Sequence, residues 1–413
     1  MQLPRELTAV VVTCAQAPPL RRVCKELSRE FDSTVESIVI PTSHGLLEAK
    51  IAAKFFRKLT QLKKLSINLP LDNKWTDVVF MQAITQIPIE NLTLWTVTSH
   101  QLITISRCCA QLKNLSFMPT ENLTTPLNMW PYNELIDLEL RDCGPHLTNL
   151  SVLVSLSRLT SLQCEGIYFP KVQTAVCSGP EQLQSLSLFY CFMHPSWLQT
   201  TRVPSLTELD IGSLGLLSLD VDIVDLLIGF PSVQTLKSME YISGDITKLS
   251  MIKSLHLESV DSDTSPIMLT GLQQLTSMFI QQRWSNVSEH PDDVLAAFSS
   301  TLTALQHLQI FGSALDVNHY NFSNTTAHGL LKAFSGNNNI KILTLGMLRD
   351  NVINYPTLST LMKEMHGLAK LCLVNCCKIE DYMTLEWPAG VELLIEYNAF
   401  QEDVYVDESS STA

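Results

Sequence analysis

One short apolar pattern, Leu-x-x-Leu-x-Leu, recurs through almost the whole chain. It reads LKKLSI from Leu62, LKNLSF from Leu112, LIDLEL from Leu135, LQSLSL from Leu183, LTELDI from Leu206, LQHLQI from Leu305 and LAKLCL from Leu368. Weaker copies begin at Val35, Ile89, Leu159, Val233, Ile252, Leu275, Ile340 and Val391, fifteen copies in all. From Val35 to Leu206 the steps are 27, 27, 23, 23, 24, 24 and 23 residues. Such a period excludes most globular folds, because each unit is one supersecondary element that buries its apolar side only by stacking on its neighbours.

Strand geometry gives the pattern its meaning. The second and third apolar residues lie two apart, so they share one side of a short strand, and the residues between and beside them share the other. Stacked copies form a parallel sheet with a leucine core behind it. Fifteen strands at about 4.8 Å each span an arc on the order of 70 Å. Between strands the chain returns on the far side. Leu47, Ile51, Phe55 and Leu59 recur at helical spacing, as do Leu358, Leu361, Met365 and Ala369. The longer steps between Leu275 and Ile340 predict larger returns, and the short step from Val233 to Ile252 is the least regular unit.

The pattern and period resemble those of leucine-rich repeats. The resemblance implies an α/β solenoid, a horseshoe with a parallel concave sheet, over residues 35–400. A cysteine stands three residues after the last pattern position in LELRDC (Cys143), LSLFYC (Cys191) and LCLVNC (Cys376). That site normally holds Asn or Cys in such repeats, its side chain turned inward toward backbone groups of the turn leaving the strand. The stretch LCLVNCCKIED, 371–381, resembles the cysteine-containing subtype found in intracellular F-box proteins.

The first 34 residues fall outside the repeat. Leu20, Val23, Cys24, Leu27 and Phe31 lie on one helical face, and Pro4 and Pro19 suit first turns of helices. The segment from Leu3 resembles an F-box, the helical module that docks onto the Skp-type adaptor of a cullin–RING ubiquitin ligase. The matching positions are Leu3, Pro4 and Leu7, then Val10 and Val11, then Leu20, Val23, Cys24 and Leu27. The resemblance implies that these residues bind the adaptor and that the repeats hold a protein substrate. The alternative from the residues alone is a helical cap covering the first strand, since repeat arrays need capping ends.

Strand alternation points Trp95, Met118, Arg141, Glu165, Phe189, Met239, Glu258 and Phe311 away from the core, just after each pattern. Gly212 and Gln281 share that column, and Glu139, Asp210 and His256 stand on the same side within their patterns. A row of exposed large side chains suits protein binding. Net charge of −13 argues against nucleic acid or an anionic membrane as the general partner. No run approaches the roughly 18 apolar residues of a membrane span. The last residues, 401–413, are acidic and polar and read as a disordered tail.

Eleven cysteines without a CxxC pair point to a reducing compartment, the cytoplasm or nucleus. A secreted reading stands beside it. Thr8–Ala17 is a mildly apolar run ending in A-x-A, and N-x-S/T acceptors occur at Asn91, Asn114, Asn122, Asn149, Asn286, Asn321 and Asn324. Asn91 and Asn114 fall on strands of the inner sheet, an awkward place for a glycan. No phosphate-binding Gly-rich loop, HExxH or GxSxG is present, and the neighbours Cys108–Cys109 and Cys376–Cys377 lack histidines at ligand spacing. The expectation is a non-catalytic chain with no cofactor and no metal.

Overall fold

The computed structural model describes residues 36–40, 59–70, 85, 87–119, 132, 134–144, 150–169, 177–193, 197, 200–212, 221–222, 229–238, 242–243, 251–257, 272–281, 302–311, 327–334, 338–346, 355–374, 376 and 390–396. The chain divides into two compact units, Met1–Asp245 and Ile246–Ala413. The division falls inside the shortest step of the repeat.

In the first unit nine strands stack in parallel, each paired with the next in sequence. They are β1 (Ser37–Ile40), β2 (Lys64–Pro70), β3 (Asn91–Val97), β4 (Asn114–Pro119), β5 (Asp137–Gly144), β6 (Ser161–Phe169), β7 (Ser185–Phe189), β8 (Glu208–Ile211) and β9 (Thr235–Ser238). In the second unit six do the same: β10 (Ser254–Leu257), β11 (Ser277–Gln281), β12 (His307–Phe311), β13 (Ile342–Gly346), β14 (Lys370–Val374) and β15 (Glu392–Glu396). The registers superpose the sequence pattern on itself: Leu162 pairs with Leu186 and Leu186 with Leu209, and in the second unit Met278 pairs with Leu308 and Leu308 with Leu343. Both units are leucine-rich-repeat solenoids.

Why the pattern makes this fold is visible in burial. The first, fourth and sixth positions are closed: Leu183, Leu186 and Leu188 have no exposed surface, nor has Leu135, Leu140, Leu305 or Leu308. Burying one such side chain stabilises by about 1.5–3 kcal/mol. The backbone repeats with equal regularity. The second and third residues of a copy both donate to the carbonyl of the second residue one repeat earlier, as Gln184 and Ser185 do to Thr160 at 2.8 and 3.0 Å. The first residue donates to the carbonyl three residues before it, closing a turn: Leu62 to Leu59, Leu112 to Cys109, Leu183 to Pro180, Leu305 to Leu302. That earlier residue is itself buried.

Three α-helices lie on returns within the described residues: α1 (Ser99–Cys108), α2 (Ala327–Phe334) and α3 (Tyr355–Glu364). α1 buries Leu102 and Ile105, α2 buries Leu330, Ala333 and Phe334, and α3 buries Leu358, Leu361 and Met362. α2 and α3 pack on one another. α2 lies in the long return that the spacing predicted. The helical spacing read through Ala369 ends sooner. α3 stops at Glu364, Met365 and Leu368 form the turn into β14, and Ala369 is exposed. The helix predicted from Leu47 lies outside the described residues except for Leu59, which is fully buried ahead of β2.

One repeat is out by a residue. The pattern was read from Val391, but Leu371 pairs with Leu393 and Leu373 with Ile395, so this copy begins at Gly390. Gly390 takes φ +97°, which the flanking residues would adopt only under strain. The irregular step at Ile252 is nonetheless a true repeat, with Leu255 paired to Met278 and both buried. The F-box-like segment, 1–34, and the acidic tail, 401–413, lie outside the described residues.

Candidate functional site

Among the described residues the third, fifth and seventh positions alternate with the inward leucines, although on β13 and β14 the fifth and seventh are themselves buried. β7 shows the alternation directly, with Leu186 and Leu188 buried and Ser185, Ser187 and Phe189 partly exposed. This outward face is the candidate site, and each unit carries its own chemistry on it.

In the first unit the face is polar and carries acids. Asn91, Asn114 and Asp137 stand side by side at three third positions: in one orientation of its amide Asn114 donates to Asn91, and in the turned orientation it donates to Asp137 instead. Both acceptor asparagines therefore sit half-buried on the sheet, as their register predicted. Trp95, on β3, is 43 % exposed, and Met118 beside it on β4 is half-buried. Arg141 on β5 binds Glu139 at 2.5 Å and approaches Glu165 on β6 at 3.9 Å. Asp210 on β8 faces Lys237 on β9 at 3.8 Å, and partial burial raises its carboxyl above the ordinary range despite that lysine.

Phe189 does not stand free. Its ring lies over Gly212, one repeat on, so closely that a Cβ there would fall 2.4 Å from the ring. The second unit repeats the device: Phe311 pairs with Gly346 and lies over it, with 2.3 Å left for a Cβ. From Phe311 an aromatic row continues across the strands. Phe279 stacks on Phe311 at 5.2 Å and His256 on Phe279 at 3.7 Å between ring centroids. Cys372 and Val374 on β14 continue this face with small apolar side chains.

The predicted face residues Trp95, Met118, Arg141, Glu165, Phe189 and Phe311 are thus placed on the outward side, Arg141 and Glu165 together as an ion pair. Met239 and Glu258 have no described side chains. The predicted adaptor-binding residues Leu3, Pro4, Leu7, Val10, Val11, Leu20, Val23, Cys24 and Leu27 all lie outside the described residues. Sequence reasoning missed Tyr190. It is 60 % exposed and takes φ +50°, a left-handed conformation unusual for a bulky residue. Asp142 and Gly166 occupy the same eighth position in the two preceding repeats and share that conformation, at φ 45° and 65°. Gly166 was the signal available in the sequence.

Two of the three cysteines that follow the pattern, Cys191 and Cys376, are buried against backbone carbonyls. Cys191 lies 3.4 Å from the carbonyls of Cys164 and Phe189, and Cys376 lies 3.1 Å from that of Leu345 and 3.5 Å from that of Val374. Each thiol thus donates to the turn leaving its own strand and to the preceding repeat. Burial pushes the Cys191 thiol up to about 11 and that of Cys109 to about 12. Both are protonated near neutrality and are packing groups rather than nucleophiles. Cys108, Cys109, Cys164, Cys191, Cys372 and Cys376 are thiols, not disulfides. Among the described residues no group of three His, Cys, Asp or Glu could hold a metal, and no helix is long and apolar enough to cross a membrane.

No family model matches the chain, and no curated protein matches it. Solved structures do. The Toll chain of the Toll–Spatzle complex from Drosophila aligns over 82 % of this chain and 50 % of its own length, at 11 % identity and a TM-score of 0.43. The mouse RP105/MD-1 complex aligns over 86 % of this chain and 69 % of that one, at 13 % identity and a TM-score of 0.44. The chain spans half the length of the Toll chain it matches.

Proposed function

We propose that this chain is a non-catalytic receptor that holds a protein partner on the outward face of its repeat strands. The observation that carries the reading is the presence of large side chains on a face whose folding does not require them: Trp95 and the row His256–Phe279–Phe311. Folding is secured by the inward leucines. Aromatic side chains on the other side add contact area for a partner at low entropic cost.

The finer reading is the substrate-recognition subunit of an SCF-type cullin–RING ubiquitin ligase. Its support is the order of parts: an F-box-like segment from Leu3 to Leu27, then repeats whose cysteines at Cys191 and Cys376 bind the strand-leaving turn. In this reading the leading helices hold a Skp-type adaptor and the repeat face holds substrate. The chain does no chemistry itself and raises the effective concentration of substrate lysines near the ubiquitin-loaded enzyme. It acts in the reducing cytoplasm or nucleus, where free thiols persist.

Two experiments separate the levels. For the receptor, a photo-crosslinking residue at Trp95, Phe189 or Phe311 is expected to capture a discrete protein, while one at Thr85, His328 or Lys332 is not. Equal capture from both sets refutes the face. For the ligase, the full chain is co-expressed with a Skp-type adaptor and purified. Co-purification lost in a version starting at Val35, and on changing Leu20 and Val23 to Asp, supports adaptor docking. A folded full chain that carries no adaptor refutes it.

A further inference from the structure

The first unit's face has a charge imbalance confined to four adjacent repeats. At the outward and eighth positions of β5 to β8 stand Asp137, Glu139, Asp142, Glu165, Glu208 and Asp210, against Arg141 alone among basic residues. Arg141 is committed to Glu139 and Glu165. The neighbouring β9 supplies Lys237, which reaches only Asp210, at 3.8 Å. The second unit's face carries the aromatic row and, on its last two strands, Lys370, Glu392 and Glu396, with Lys370 bound to Glu392 at 3.0 Å.

Rings border the acids. Phe189 is pinned flat over Gly212 beside Asp210's strand, and Tyr190 follows it, 60 % exposed on a left-handed backbone. Carboxylates and ring faces are what a guanidinium engages: paired bonds to carboxylates and stacking on rings. Four strands at about 4.8 Å spacing cover roughly 14 Å, the reach of about four or five extended residues.

We infer that the β5–β8 face, resting on the receptor reading above, takes a short extended arginine-rich segment of a protein partner. Guanidinium groups pair with Glu165, Glu208 and Asp210, and one stacks on Phe189 and Tyr190. Partial burial of Asp210 strengthens the case, because an under-solvated carboxylate gains more from a second cation than an exposed one does.

The test uses the full chain and a fluorescein-labelled dodecapeptide of alternating Arg and Ser, followed by anisotropy at low and moderate salt. One triple variant is Glu165→Gln, Glu208→Gln and Asp210→Asn. Its control is Glu36→Gln, Glu90→Gln and Glu134→Gln, the same change of net charge away from these strands. The first triple is expected to weaken binding about tenfold or more, the control less than about threefold. Tyr190→Gly, which eases the left-handed backbone while removing the ring, is expected to keep the fold and weaken binding severalfold. Equal loss in both triples, or no binding by the parent chain at low salt, overturns the proposal. If the peptide fails while the photo-crosslinks from Trp95 and Phe311 persist, the partner chemistry falls and the receptor reading stands. Loss of both removes the receptor reading as well.

Discussion

Gly346→Ala tests the seating of aromatic rings on glycine, the least sequence-evident feature of the face. A Cβ at Gly346 would lie 2.3 Å from Cδ1 and 2.4 Å from Cε1 of Phe311. Ordinary carbon contacts need about 3.5 Å, so the ring must move by more than about 1 Å. It has an exit, because Phe311 is only half-buried. Swinging out loses the seat and the stacking with Phe279 at 5.2 Å. An aromatic pair contributes about 0.5–1.5 kcal/mol beyond its area, and overpacking costs about 1–3 kcal/mol when nothing yields. Against this, Ala in a strand is better than Gly by roughly 0.5–1 kcal/mol.

The balance is a net destabilisation of about 1–2 kcal/mol for Gly346→Ala alone. In a Phe311→Ala background the clash is gone and only the backbone gain remains. There the same substitution is expected to stabilise by about 0.5 kcal/mol. The sign reversal is the signature, a coupling near 2 kcal/mol between residues 311 and 346. Urea denaturation of the four proteins, followed by far-ultraviolet circular dichroism, measures it. Additivity within about 0.5 kcal/mol would refute the seating argument.

Other expectations follow from burial. Leu186→Ala, at a position with no exposed surface in the centre of β7, is expected to destabilise by about 2–5 kcal/mol in the same denaturation assay. Alkaline stability reports the buried thiols. Cys191 is held up to about 11 and Cys109 to about 12, so the folded chain keeps protons that the unfolded chain releases above about 9. Their contribution is complete below pH 9 and is lost as pH rises toward 11 and 12. The midpoint should fall over that window, less steeply in Cys191→Ala; no such difference would place the thiol in contact with water.

The inward half of each repeat was legible because one force sets it. Leu183, Leu186 and Leu188 are leucines for burial, and the register follows from them. A further inward residue went unread: in many described copies the buried residue three before the first leucine, such as Leu59, Cys109 or Leu302, closes the entry turn. It extends the pattern by one term but varies in type, since a turn carbonyl tolerates any apolar side chain. The slip at Val391 has a physical cause. VELLIE offers two apolar alternations one residue apart, and on the last described strand Leu393, Leu394 and Ile395 are all half-buried, so burial discriminates weakly.

The outward half was legible only in direction. Alternation places Phe189 and Phe311 on the face, but what each ring touches depends on a glycine 23 or 35 residues later. Local sequence does not say that these glycines form seats rather than turns. Tyr190 is a harder case. Its left-handed backbone is inherited from the eighth position of neighbouring repeats, where Gly166 adopts it freely.

The outward serines carry the argument to its end. Ser116 and Ser187 have buried hydroxyls with no partner in the described structure. Leaving a buried hydroxyl unmet costs about 1–3 kcal/mol. Alanine at a fifth position would avoid that cost. Ser187→Ala is therefore expected to stabilise the chain by about 1 kcal/mol in urea denaturation, because the oxygen it removes is enclosed by the sheet and its neighbours rather than offered to solvent. A destabilisation in denaturant would mean that the hydroxyl is satisfied in the folded chain.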